Sequence, residues 1–78
     1  MAVILIADDE EGIREFLVDA LAADRHDVTA AGDGGQALRQ LRSRTFDLLI
    51  TDLKMPGAIE GLDLLRAARA EQDRKSVV

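Results

Sequence analysis

The chain has 78 residues, with 10 lysines and arginines against 15 aspartates and glutamates, which gives a formal net charge of −5. This length allows one small domain at most, and the 47% hydrophobic content is that of a globular protein rather than a disordered one. The lack of cysteine excludes disulfides, thiolate metal sites and thiol catalysis. An acidic chain without a basic patch is a poor candidate for binding nucleic acid directly.

The apolar run at the amino terminus predicts neither a membrane span nor a signal peptide. It covers residues 1–7, far fewer than the ~20 residues that a membrane-spanning helix needs. It has no basic flank and leads directly into acidic residues, unlike a secretory signal. We therefore expect a cytoplasmic protein without a membrane partner.

Short apolar runs alternate with segments of helical periodicity. Apolar β-branched residues bounded by acids predict a buried strand at 3–6. The remaining predicted elements are a helix around 13–21, a strand at 28–31, a helix around 37–42, a strand at 46–51 and a helix at about 60–72. The inward face of the first helix is predicted to comprise Ile13, Phe16, Leu17, Ala20 and Leu21. Phe16 and Phe46 are both predicted to lie in the core.

This βαβαβα order predicts an α/β fold with a parallel sheet, because each connection contains a helix and none can be a hairpin. Residues 75–78 look like the first residues of a fourth strand. The prediction is therefore one incomplete domain over residues 1–78. Two copies that complete the sheet together would form a homodimer.

Three acidic residues follow predicted strands. Asp8 and Asp9 come after the first strand, and Asp52 ends the third. If the first and third strands are neighbours in the parallel sheet, the three carboxylates converge at one edge of it, and carboxylates that close together repel one another unless a cation compensates them. Mg2+ favours such ligands, and a carboxylate beside it can attack a phosphoryl group. In the alternative interpretation these acids only stabilise a helix amino terminus and a strand end.

A glycine-rich segment offers a second function. Residues 32–37 fit the pattern G-x-G-x-x-A between a strand and a helix, and Asp52 follows Gly32 by about 20 residues, the spacing of a ribose-binding acid. The same residues also fit a capping box in which Asp33 caps the helix and Gln36 reaches back. We favour the structural turn and keep the dinucleotide-binding fragment as an alternative.

Two segments resemble the receiver domain of two-component response regulators. They are Ile-Leu-Ile-Ala-Asp-Asp-Glu at 4–10 and Asp-Leu-Leu-Ile-Thr-Asp-Leu-Lys-Met-Pro-Gly at 47–57, followed by Gly-Leu-Asp-Leu-Leu. The resemblance covers the whole chain. It implies a doubly wound, flavodoxin-like fold, here truncated, with the first strand between the second and the third.

The resemblance also implies a role for each acidic residue. Asp52 matches the phosphoacceptor, which takes a phosphoryl group from the phosphohistidine of a histidine kinase. Asp9 matches the direct Mg2+ ligand, Asp8 the acid that holds Mg2+ through water, and Lys54 the residue whose backbone carbonyl binds the metal. The implied protein is a signalling domain and not an enzyme, with self-catalysed phosphotransfer and dephosphorylation at most.

The chain departs from the family pattern in two ways. The glycine that usually lies eight residues after the acceptor is Gly61, nine residues after it, so the intervening loop is one residue longer. The Ser or Thr at the end of the fourth strand and the Lys at the end of the fifth have no counterpart. We therefore expect impaired phosphorylation, with an association fragment that is not phosphorylated as the alternative.

Overall fold

The computed structural model describes residues 1–55, 57 and 59–75, with the backbone alone for 72–75. Its elements in chain order are β1 (Val3–Ala7), α1 (Glu11–Ala23), β2 (Asp27–Ala31), α2 (Gly34–Ser43), β3 (Leu48–Thr51) and α3 (Gly61–Lys75). Helix α3 continues past its predicted end because residues 71–75 contain no glycine or proline to stop it. Lys75 therefore belongs to this helix and not to a fourth strand. The rest of the predicted fourth strand, residues 76–78, lies outside the described residues.

The sheet is parallel with the strand order β2-β1-β3, which confirms the predicted α/β fold with the first strand in the centre. Ile4 pairs with Val28 on one side and with Leu48 on the other. Strand β3 begins two residues later than predicted. Asp47 precedes it, and its Oδ2 accepts the Val3 N–H at 2.8 Å.

The main core lies on one face of the sheet. Leu5 and Ala7 of β1 face α2 and α3 there, and they are fully buried. The buried members of this core cluster are Leu5, Ala7, Ala31, Ala37, Leu41, Met55 and Leu64. Because side chains alternate along a strand, Ile4 and Ile6 point to the opposite face, where α1 lies. They are buried as well.

The prediction that one face of α1 is buried in the core is largely wrong. No residue of this helix is buried, and Phe16 is 70% and Ile13 46% exposed. In the described part of the chain α1 is the only helix on its face of the sheet, so it can bury no more than a narrow stripe. Leu17 and Leu21 are half-buried in that stripe. The other predicted core aromatic, Phe46, is half-buried and packs against the main core.

Candidate metal centre

The candidate site lies where β1 and β3 end side by side. Asp8 follows the last residue of β1, and its N–H donates to the Ala31 carbonyl at 3.1 Å. Asp52 follows the last residue of β3, and its N–H donates to the Ala7 carbonyl at 3.0 Å. These bonds extend the strand pairing by one residue and fix both backbones. Each of Asp8, Asp9 and Asp52 has a carboxylate oxygen within 4.8 Å of the corresponding oxygens of the other two.

Two local hydrogen bonds orient the carboxylates. Asp8 Oδ1 accepts the Glu10 N–H at 2.9 Å, and Asp52 Oδ1 accepts the Lys54 N–H at 3.1 Å. The side chain of Lys54 itself is exposed. A carboxylate has about four lone-pair positions, so one such bond leaves room for a cation.

The donor set fits Mg2+, which takes hard oxygen ligands from one or two carboxylates and keeps several waters. Asp8 is only 9% exposed, whereas Asp9 and Asp52 are exposed. Water can therefore reach the site from the side of these two residues. Close carboxylates repel one another, and a divalent cation between them would offset that repulsion.

The comparison with known protein families agrees with this geometry. The family model of the response regulator receiver domain matches residues 4–78. The chain belongs to this family. The receiver domain is a signalling domain.

The matches to similar proteins extend over nearly all of this chain but only part of those proteins. The chemotaxis protein CheY of Pseudomonas aeruginosa is 45% identical over 73 residues, which are 92% of this chain and 58% of that protein. The structure of CheY4 of Vibrio cholerae matches with a TM-score of 0.85 and 32% identity, over 96% of this chain and 62% of that chain. TrrA of Thermotoga maritima, solved in complex with Mg2+-BeF, matches with a TM-score of 0.75 and 36% identity over the same shares. The chain thus spans less than two thirds of each of these proteins.

The receiver domain packs Gly61 directly against its candidate acceptor. A Cβ at position 61 would overlap the Asp52 carbonyl oxygen and would lie 2.7 Å from both the Asp52 carbonyl carbon and the Leu53 Cα. Any residue with a Cβ at this position would therefore force α3 or the backbone of Asp52 to shift. The sequence identified Gly61 by its place in the motif but gave no sign of this contact, which depends on how α3 returns to β3.

A contact with Ile59, between β3 and α3, explains why position 34 in the glycine-rich segment is a glycine. A Cβ at Gly34 would overlap the Ile59 carbonyl oxygen and would lie 2.8 Å from the Ile59 Cβ, so Ile59 occupies the space beside this glycine that a pyrophosphate would need. Asp33 caps α2 by accepting the Gln36 N–H at 2.8 Å, as predicted. The Gln36 side chain accepts the N–H of Gly32 rather than that of the cap residue. The arrangement favours the structural turn over a nucleotide site.

One residue beside the site was not singled out from the sequence. Arg14, in α1, donates from Nη1 to the Asp8 carbonyl at 2.8 Å. The sequence contains one sign that Arg14 has a particular role: it lies near the start of a helix, where a cation interacts unfavourably with the helix dipole.

Within the described residues, no helix of the receiver domain is long and apolar enough to cross a membrane.

Proposed function

We propose that the receiver domain accepts a phosphoryl group on Asp52 from the phosphohistidine of a histidine kinase and thereby relays a signal in the cytoplasm. The observation that carries this proposal is the convergence of the Asp8, Asp9 and Asp52 carboxylates within 4.8 Å. Family membership and the Mg2+-BeF complex of TrrA support it. The activity is self-catalysed phosphotransfer and dephosphorylation, without turnover of a separate substrate.

Four groups would hold Mg2+. Asp9 and Asp52 would bind it directly, Asp8 through water, and Lys54 through its backbone carbonyl. When bound, the metal supplies positive charge that offsets the carboxylates and the phosphoryl oxygens. The N–H of Lys54 already holds Asp52 Oδ1, which leaves Oδ2 as the attacking atom.

The transfer is an exchange of one bond at phosphorus for another. Asp52 Oδ2 forms a bond to phosphorus as the phosphorus–nitrogen bond of the phosphohistidine breaks. The electron pair returns to the imidazole nitrogen, and the product on this chain is an acyl phosphate. Exposure of Asp52 lets the donor approach it from solvent.

Phosphoramidate, a small donor with a phosphorus–nitrogen bond, tests the acceptor. With Mg2+, we expect the chain to gain the mass of one phosphoryl group, slowly because of the impairment expected from the sequence, and we expect hydroxylamine to remove it. Asp52→Asn is expected to gain none. By calorimetry, Asp9→Asn and Asp52→Asn should each weaken Mg2+ binding about tenfold or more.

Asp19→Asn is the matched control, because it removes the same charge from an exposed position on α1. It should change neither readout. A phosphoryl group on the Asp52→Asn chain, or unchanged Mg2+ affinity in both site variants, would contradict the proposal.

We also propose that two copies of the chain pair through β3. This strand lies at one edge of the sheet, and within residues 1–55, 57 and 59–75 no strand pairs with its outer side. Leu48 on the same strand is 48% exposed, and such edges recruit further strands. We expect the mass from sedimentation equilibrium to rise with concentration and Leu48→Lys to remove that rise. A monomer at all concentrations would refute pairing.

A further inference from the structure

Arg14 connects the loop after β1 to the loop after β2. Its Nη1 donates to the Asp8 carbonyl at 2.8 Å. The same guanidinium lies against Gly32, where a Cβ would come within 3.3 Å of Nη1 and 3.7 Å of Cζ. Arg14 is half-buried, so this arrangement is part of the packing of the domain.

With the hydrogen bond from Arg14, the N–H, the side chain and the carbonyl of Asp8 each have a hydrogen-bond partner. The Asp8 N–H donates to the Ala31 carbonyl, and its side chain accepts the Glu10 N–H. The Asp8 carbonyl accepts from Arg14. A hydrogen bond from a charged donor contributes more than one between neutral groups, which offsets the unfavourable place of a cation near the start of α1.

We propose that Arg14 is a positioning residue for the metal centre. The carbonyl it holds belongs to the peptide group that joins Asp8 to Asp9. Because a peptide group is planar, fixing its carbonyl also fixes the direction in which the chain enters Asp9. Arg14 thus aims the Asp9 carboxylate, and Gly32 provides the space for the guanidinium. The consequence for Mg2+ rests on the function proposed above.

Charge and geometry predict opposite results for Arg14→Met. Removing a positive charge near three carboxylates would by itself strengthen Mg2+ binding. Losing the orientation of a ligand weakens it, by about tenfold for groups that support a metal ligand. Gly32→Val separates the two effects further, because its side chain would crowd the guanidinium at Nη1 while the charge of Arg14 remains.

The experiment is a Mg2+ titration of the 78-residue chain, followed by amide proton–nitrogen correlation spectra. We expect about tenfold weaker binding for Arg14→Met, weaker binding for Gly32→Val, and partial recovery for Arg14→Lys, whose ammonium keeps one donor. Arg42→Met is the control, because Arg42 is exposed in the last turn of α2 and its loss should leave the affinity unchanged. Affinity equal to or above that of the unmodified chain in Arg14→Met would overturn the proposal.

The metal-free spectra test the positioning by themselves. The Asp9 N–H belongs to the peptide whose carbonyl Arg14 holds, so its nitrogen shift should move in Arg14→Met and in Gly32→Val. Unchanged Asp9 signals in both variants would refute the positioning role. If the unmodified chain binds no Mg2+ while these signals still move, the proposed function fails, and what remains of the inference is that Arg14 orients the peptide group between Asp8 and Asp9.

Discussion

Replacement of Gly61 by alanine is expected to destabilise the receiver domain by about 2–3 kcal/mol, the upper part of the range for overpacking. The new Cβ would overlap the Asp52 carbonyl oxygen and crowd the Leu53 Cα. Both are backbone atoms, so no side-chain rotation can relieve the overlap. Either α3 moves away from β3, or the backbone of Asp52 shifts. Urea denaturation measures the loss as a lower midpoint.

Gly12→Ala is the matched control for this change. Gly12 also lies in the first turn of a helix, α1, and a Cβ there has nothing within 4 Å. Alanine has the better helix propensity and a less flexible unfolded chain, so this variant should gain about 0.5–1 kcal/mol. Opposite signs for the two substitutions would establish that the contact with Asp52 decides the result. A stabilising Gly61→Ala would contradict it.

Leu5→Ala is expected to lower the free energy of unfolding by about 3–5 kcal/mol, because it leaves a cavity between β1 and helices α2 and α3. Leu5 is fully buried at the centre of β1, the strand that pairs with both neighbours. Small domains have total stabilities of about 5–15 kcal/mol. The variant should therefore lose much of its stability, seen as a large fall in the urea midpoint.

Leu48→Ala removes the same atoms from a surface position. Leu48 is 48% exposed at the sheet edge, so the expected cost is below about 1 kcal/mol. Comparable losses in the two leucine variants would show that β1 is not the centre of the core. Both should be compared at low concentration, where pairing through β3 contributes least.

The order of the elements could be predicted because the spacing at which apolar residues recur along the chain differs between strands and helices. Continuous apolar residues marked β1, and helical spacing marked α1. That spacing could not show how much of α1 becomes buried, and Phe16 was assigned to the core wrongly. Periodicity identifies which residues share a face. Whether anything covers that face depends on the packing of other elements.

The acidic residues of the candidate site could be located from the sequence for a different reason. Parallel strands end at one edge of the sheet, so residues directly after β1 and β3 lie near each other once these two strands are neighbours, as the family resemblance implied and the strand order shows. This reasoning needs no knowledge of side-chain contacts. The same reasoning could not identify Arg14, because nothing in the sequence indicates that its side chain binds the Asp8 carbonyl.

The sequence by itself determined the class of fold, the strand-end acids and the capping of α2 by Asp33, since each depends on neighbours in the chain or on a repeating period. Only the tertiary structure decided why Gly34 and Gly61 lack side chains, how far α1 is buried, and what Arg14 holds. These depend on atoms that approach from distant parts of the chain. Position 61 meets Asp52, at the end of β3, and position 34, at the start of α2, meets Ile59.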